Sequence, residues 1–311
     1  MRLGVFAAIM NYVEITEKIL FIEAEGRGRY PYSNSMLIDD DVRVLIDTGM
    51  GRDLAMEIAK EKKIDLVINS HGHEDHVASN NLFKDAKICS HKLDAPIIRS
   101  VEKLKELYGS TETEAKRFID SLLEEHFKLR DSRVDLEFED GHVFDLGSTK
   151  LEVIHTPGHS RGHCCFSFPS ERLVFLADVD LSSFGPWYGC LDSDIGQFIE
   201  SIERVRELQF EVAVTSHKGI VVGRKVLEEQ LSDYLNRIFE REERLLEFLM
   251  EERSIDEIVN RAIIYGRFAE PKAVFSLFER TMIEKHLERL VEKNLVAHTS
   301  EGFKAISKSY E

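Results

Sequence analysis

Three histidines and two acidic residues fall within the seven positions of SHGHEDH, residues 70–76, directly after the apolar run DLVIN. That run reads as a strand. A strand ending in a tight loop of such residues concentrates metal-binding donors where a sheet can hold them. In an extended segment His71 and His73, two apart, project to one side, while Asp75 and His76 can turn toward a second position. Imidazole and carboxylate donors suit zinc, and also iron or manganese. A solvated polar loop would account for a lone His-x-His. It accounts poorly for His-x-His-x-Asp-His at a strand end.

Further donors stand where other strands stop. VRVLID, KICSH, KLEVIHT, RLVFLAD and EVAVTSH all read as strands. His159 follows the Thr-Pro-Gly turn of HTPGHS, Asp178 ends FLAD, and His217 ends VAVTSH. Each alone is an ordinary turn or cap residue. Together, in this order, they point to a site. His91, His126, His142, His155, His286 and His298 have no such pattern. His163, four residues past His159, is also read as structural. Between the strands, residues 52–63, 94–109, 113–129 and 193–208 carry apolar residues at helical spacing, so the expected architecture is sheets covered by helices.

HGHEDH, HTPGH, the Asp178 strand and His217 together resemble the metallo-β-lactamase superfamily, over about residues 34–222. The resemblance implies an α+β fold, an αββα sandwich, and two zinc ions per chain. Residues matching His71, His73 and His159 bind the first metal in that family, and those matching Asp75, His76 and His217 bind the second. Asp178 matches the carboxylate that bridges both ions. Asp47, in LIDTGMG, matches an aspartate that supports the ligands without binding metal. Ala177 departs from the pattern, since many relatives have Gly before the bridging Asp.

After Gly223 the chain becomes charge-dense and mainly helical. The expected division is a catalytic domain over 1–225, a linking helix over 226–252 and a small winged-helix domain over 253–311. Ser254 and Glu257 form a capping-box pattern, Pro271 suits a first helical turn, and 295–306 reads as a hairpin turning at Glu301 and Gly302. This tail is similar to the winged helix that follows the catalytic domain in a glyoxalase-II-like branch of the superfamily, a branch that also holds a single-strand endoribonuclease.

The formal net charge of −16 opposes binding to duplex DNA or anionic membranes. Between Pro271 and Asn294 the basic residues Lys272, Arg280, Lys285, Arg289 and Lys293 are nearly matched by Glu279, Glu284, Glu288 and Glu292. A phosphate-tracking helix needs a basic excess. The tail is therefore expected to act as a lid or a homodimer contact, and its deletion to change substrate range or oligomeric state with the ligands left in place. No apolar run is long enough for a membrane span, Cys89, Cys164, Cys165 and Cys190 lack CxxC spacing, and the expected location is cytoplasmic.

Two cations sharing Asp178 would lower the pKa of a water between them from about 16 toward about 7, giving hydroxide at neutral pH. Asp75 is expected to orient it as the catalytic carboxylate. Phe184, Trp187 and Tyr188, in SSFGPWYGC, are expected to line an apolar pocket for a small-molecule ester, thioester or lactone. Two alternatives use the same donors. One is a phosphodiesterase or single-strand endoribonuclease, with single-stranded RNA as the partner. The other is a mononuclear iron sulfur dioxygenase using the counterparts of His71, His159 and Asp178. The superfamily's flavodiiron oxygen reductases carry Glu where this chain has His73, which argues against that branch.

Overall fold

The computed structural model describes residues 2–6, 10–111 and 113–306. Its frame is two packed sheets. In the first, eight strands lie side by side in chain order: Arg2–Phe6, Met10–Glu14, Ile19–Ile22, Ser35–Ile38, Val44–Ile46, Leu66–Ile68, Lys87–His91 and Leu136–Phe138. Pairing is antiparallel up to Val44–Ile46 and parallel beyond it. The second sheet runs Gly219–Val222, Val212–Thr215, Leu173–Phe175, Cys164–Phe168, Lys150–His155 and Val143–Asp145.

Side chains alternate across a strand, and here both faces are covered, so the central strands read as unbroken apolar runs. Ile19, Met36, Val44 and Ile46 face Leu151, Val153, Phe166 and Phe175 of the other sheet in one buried cluster. Their neighbours Leu20, Leu37 and Leu45 face outward onto Leu54 and Ile58 of the helix Arg52–Glu61. On the far side Cys165, Val174 and Ala213 pack on Phe198 and Ile202 of the helix Ile195–Glu207. The layers are helix, sheet, sheet, helix, as expected.

Two of the expected helices are broken. Residues 94–109 form Ala95–Ile98 and Val101–Leu107, because the Ser100 hydroxyl accepts the Lys103 amide and starts a new helix. Residues 113–129 form Thr113–Ser121 followed by a wider π turn over Leu122–His126. The linking helix spans Arg224–Phe248, starting and stopping earlier than expected.

The tail follows the expected order. Ser254 and Glu257 make both bonds of the capping box ahead of the helix Ile255–Asn260. The helix Lys272–Glu292 and a hairpin of Val296–His298 with Phe303–Ala305 complete it. Its apolar residues do not form a core of their own. Met282, Ile283, Leu287 and Leu290 join the cluster that holds Phe198, Ile202, Leu231 and Ile238. Among the described residues no helix is long and apolar enough to cross a membrane. All four cysteines are free and buried.

Candidate metal centre

Strands from both sheets end at one edge of the sandwich. After Leu66–Ile68 the chain bends at Ser70 and His71, and His73 occupies the position before a one-turn helix, Glu74–Val77, that carries Asp75 and His76. Lys150–His155 leads to His159, Leu173–Phe175 to Asp178, and Val212–Thr215 to His217.

All seven expected ligand residues converge. Their donor atoms form three overlapping groups, each within 4.8 Å: His71, His73 and His159; His71, His76 and Asp178; Asp75, His76 and His217. His73 Nδ1 lies 2.9 Å from His159 Nε2. His159 Nε2 lies 3.3 Å from one Asp178 oxygen, while His76 Nε2 and His217 Nε2 lie 3.1 and 3.4 Å from the other. Asp75 approaches the same nitrogens of His76 and His217 at 3.6 and 3.5 Å. Asp178 thus stands between the two outer groups.

The far nitrogens are held by the protein. His159 Nδ1 donates to the Trp187 carbonyl at 2.9 Å, and His217 Nδ1 to the Gly28 carbonyl at 2.7 Å. His73 Nε2 meets the Cys190 sulfur at 3.6 Å. Asp47 receives the Ser70 amide and hydroxyl, both at 2.7 Å, and lies 2.8 Å from His76 Nδ1. Such outer contacts fix which nitrogen of each ring faces inward.

A divalent cation fits these residues. His71 Nε2 is buried without a hydrogen-bond partner, and His76 Nε2 and Asp178 Oδ1 have only ion pairing, with each other and with Asp75 and His217 beside them. Orphaned polar atoms of this kind are costly and rare. Burial holds His71 well below the ordinary imidazole range and brings His73 to about 3 and His159 to about 4, so these three rings are neutral with lone pairs free for a metal. Burial would lower His76 and His217 too, but the charges of Asp178 and Asp75 prevail, raising His76 and holding His217 up to about 10. These two imidazoliums offset the charge of Asp178; a bound metal would supply that charge and displace their protons.

The aromatic segment divides. The half-buried Trp187 ring lies 6.0 Å from His73 and 5.7 Å from His159. Phe184 lies under the Arg241 guanidinium, 4.7 Å away, and beside Tyr265. Tyr188 does not line a pocket. It is fully buried, with its hydroxyl 2.7 Å from His286 Nε2 and 2.8 Å from an Arg241 nitrogen. Neighbours in an extended chain face opposite ways, so a segment that turns Trp187 toward the histidines sends Tyr188 into the core.

Sequence reasoning missed several supporting groups. Buried Asp94 accepts from the Gly72 amide at 2.9 Å, the Ser160 hydroxyl at 2.7 Å and the Gly162 amide at 2.6 Å, tying the His71–His73 loop to the His159 loop. Its one signal, Asp before Ala-Pro, reads as a helix cap, yet its side chain makes no cap bond. Glu74 is buried under the hydroxyls of Tyr30, at 2.8 Å, and Tyr108. His163 accepts the Asp178 amide at 3.1 Å and so holds the backbone of that residue. Ala177 adopts φ +48, the left-handed region that favours glycine, which is the physical reason for the glycine of many relatives.

Residues 29–217 match the family model of the Metallo-beta-lactamase superfamily, and the chain belongs to that superfamily. A lactamase-like protein of Emericella nidulans, aptB, is 25% identical over 218 residues, 67% of this chain and 59% of that protein. An atrochrysone carboxyl ACP thioesterase of Pseudocercospora fijiensis is 22% identical over 306 residues, 93% of this chain and 79% of that protein. A hydroxyacylglutathione hydrolase of Francisella tularensis subsp. novicida is 25% identical over 178 residues, 57% of this chain and 58% of its own length. The chain therefore matches less than two thirds of the length of two of these three relatives. The crystal structure of a metallo-beta-lactamase family protein from Thermus thermophilus superposes with a TM-score of 0.71 at 19% identity, covering 94% of this chain and all of that one, which establishes the fold.

Proposed function

We propose that this superfamily member is a dinuclear metal-dependent hydrolase that cleaves an ester, thioester or lactone, with a thioester as the first choice. The observation that carries the reading is the overlap of three donor groups at one strand edge, joined through Asp178. A thioesterase and a hydroxyacylglutathione hydrolase among the relatives support an acyl substrate.

In this reading His71, His73 and His159 would hold one ion and Asp75, His76 and His217 the other, with Asp178 a ligand available to both. Two bound divalent cations, which we take as zinc, would lower the pKa of a shared water toward about 7 and polarise the substrate carbonyl. Asp75 would orient that water by accepting its hydrogen bond. Asp47 keeps His76 Nε2 turned inward, and His163 holds the Asp178 backbone. No serine or cysteine nucleophile enters; burial pushes the Cys190 thiol well above its ordinary range.

In this reading 253–311 is a winged helix on a catalytic unit of 1–225, and its helix Lys272–Glu292 reaches the aromatic edge of the site. Phe278 of the helix Lys272–Glu292 meets Trp187 edge-on at 5.4 Å. The four buried free cysteines suit a reducing compartment, for which we take the cytoplasm.

Metal analysis of the purified protein, combined with assays on acyl thioesters, lactones, phosphodiesters and single-stranded RNA, tests this reading. Two ions per chain with thioester or lactone turnover are expected, whereas turnover confined to RNA or phosphodiesters would overturn the substrate class. Within the same reading, Trp187→Ala should raise KM by roughly 10- to 100-fold, the equivalent of one aromatic ring's burial. The turnover number should change less, because the residue-187 carbonyl that holds His159 is backbone and survives. An unchanged KM with a lower melting temperature would make Trp187 a packing residue only.

A further inference from the structure

We propose that Arg241, on the long helix Arg224–Phe248, is a positioning residue for the metal centre: it fixes the backbone of residues 184–188 and, through the Trp187 carbonyl, the ring of His159. The inference rests on the dinuclear reading above.

Arg241 is buried, and no described carboxylate forms an ion pair with it. A buried guanidinium without a directly paired carboxylate, here with the charge of Glu279 near, is expensive and persists only when its donors are used. Here they are spent on one short segment. One terminal nitrogen donates to the Pro186 carbonyl at 2.6 Å and to the Tyr188 hydroxyl at 2.8 Å, and the other donates to the Phe184 carbonyl at 2.6 Å. The guanidinium also lies over the Phe184 ring.

The next contact in the segment serves the metal centre. Between Pro186 and Tyr188, both bound to Arg241, the Trp187 carbonyl accepts the His159 Nδ1 proton at 2.9 Å. That bond sets the His159 tautomer and turns Nε2 to within 2.9 Å of His73 Nδ1. A rotation of the 187–188 peptide would move the acceptor and with it the ring. Arg241 grips the residues on either side of that acceptor.

The guanidinium is itself held from the C-terminal helix. Tyr188 Oη lies 2.7 Å from His286 Nε2, and Glu242, next to Arg241, is 3.6 Å from His286 Nδ1 and 2.9 Å from Arg289 Nε. A second arm reaches His159 by another route: the Lys285 ammonium donates to the Leu191 and Ser193 carbonyls at 3.2 and 2.7 Å, and the Ser193 hydroxyl donates to the His159 carbonyl at 2.8 Å. Both sides of His159 are thus braced from outside the sandwich. Outer contacts of metal ligands are worth about 10- to 100-fold in metal affinity.

The test is cobalt(II) titration of the metal-free full chain, followed by visible absorption, on wild type, Arg241→Met, Arg241→Lys and the remote core variant Ile58→Ala. Arg241→Met should weaken the His159-containing site by about 10- to 100-fold and change its cobalt spectrum, with the other site still filling. Arg241→Lys keeps the charge but offers one ammonium for three spaced acceptors, so about tenfold weakening is expected, and this variant decides the matter if Arg241→Met does not fold. Ile58→Ala should lower the melting temperature and leave both cobalt sites unaltered. If the Arg241 variants melt lower but bind and colour cobalt as wild type does, or if Ile58→Ala shows the same cobalt losses, Arg241 is structural only. Failure of the wild type itself to bind two cobalt ions would overturn the dinuclear reading instead.

Discussion

Replacing Asp75 by Ala is expected to lower turnover by roughly 10²- to 10⁴-fold, the range for removing a side chain that hydrogen-bonds to the reacting group in the transition state. The fold should survive. The Asp75 backbone carbonyl, which accepts the Ser33 hydroxyl at 2.6 Å, is kept by alanine. Among the described residues the carboxylate itself pairs with the His76 and His217 nitrogens, at 3.6 and 3.5 Å. Burial pushes Asp75 above the ordinary carboxyl range against the pull of His76 and His217, with Asp178 and Glu74 adding to the rise. Removing a strained charge therefore costs the metal-free protein little. Steady-state kinetics beside circular dichroism decides the matter: a folded variant with near-normal turnover would remove Asp75 from the chemistry.

Deleting residues 253–311 should prevent folding, a larger effect than the change in substrate range expected from sequence. The tail supplies Ile258, Met282, Ile283, Leu287 and Leu290 to a cluster shared with the helix Ile195–Glu207 and the long helix. Each such side chain contributes about 1.5–3 kcal/mol by burial. Five together rival the roughly 5–15 kcal/mol of a whole domain's stability. The deletion also removes Lys285 and His286, whose bonds reach Ser193 and Tyr188. Soluble yield and thermal melting of the shortened chain measure this. A truncated protein that melts cooperatively near the full-length temperature and still takes up metal would show the tail to be an independent unit.

The donors were legible because imidazoles and carboxylates gathered at strand ends have few uses other than binding an ion. The αββα layering was legible through apolar runs such as VRVLID, whose alternate residues serve two cores: Val44 and Ile46 face the other sheet, while Leu45 faces a helix. Other features depended on partners distant in sequence. Nothing local marks Asp94 for its acceptor role, because that role, bridging Gly72 to Gly162, exists only once the two loops meet. Trp187 and Tyr188 looked equivalent, and only the direction of the chain separates the ring beside His73 from the one in the core. The tail read as a separate module from its charge texture. Met282 and Leu290 instead pack into the core shared with the helix Ile195–Glu207.

The central claim is that two ions sit side by side, joined by Asp178. Anomalous diffraction at the metal edge, from crystals of the metal-loaded protein, tests it most directly. The account predicts two peaks roughly 3.5–4 Å apart. One should lie against His71, His73 and His159 and the other against Asp75, His76 and His217, with Asp178 reaching both. A single peak, or two peaks with His76 or His217 turned away, would contradict it.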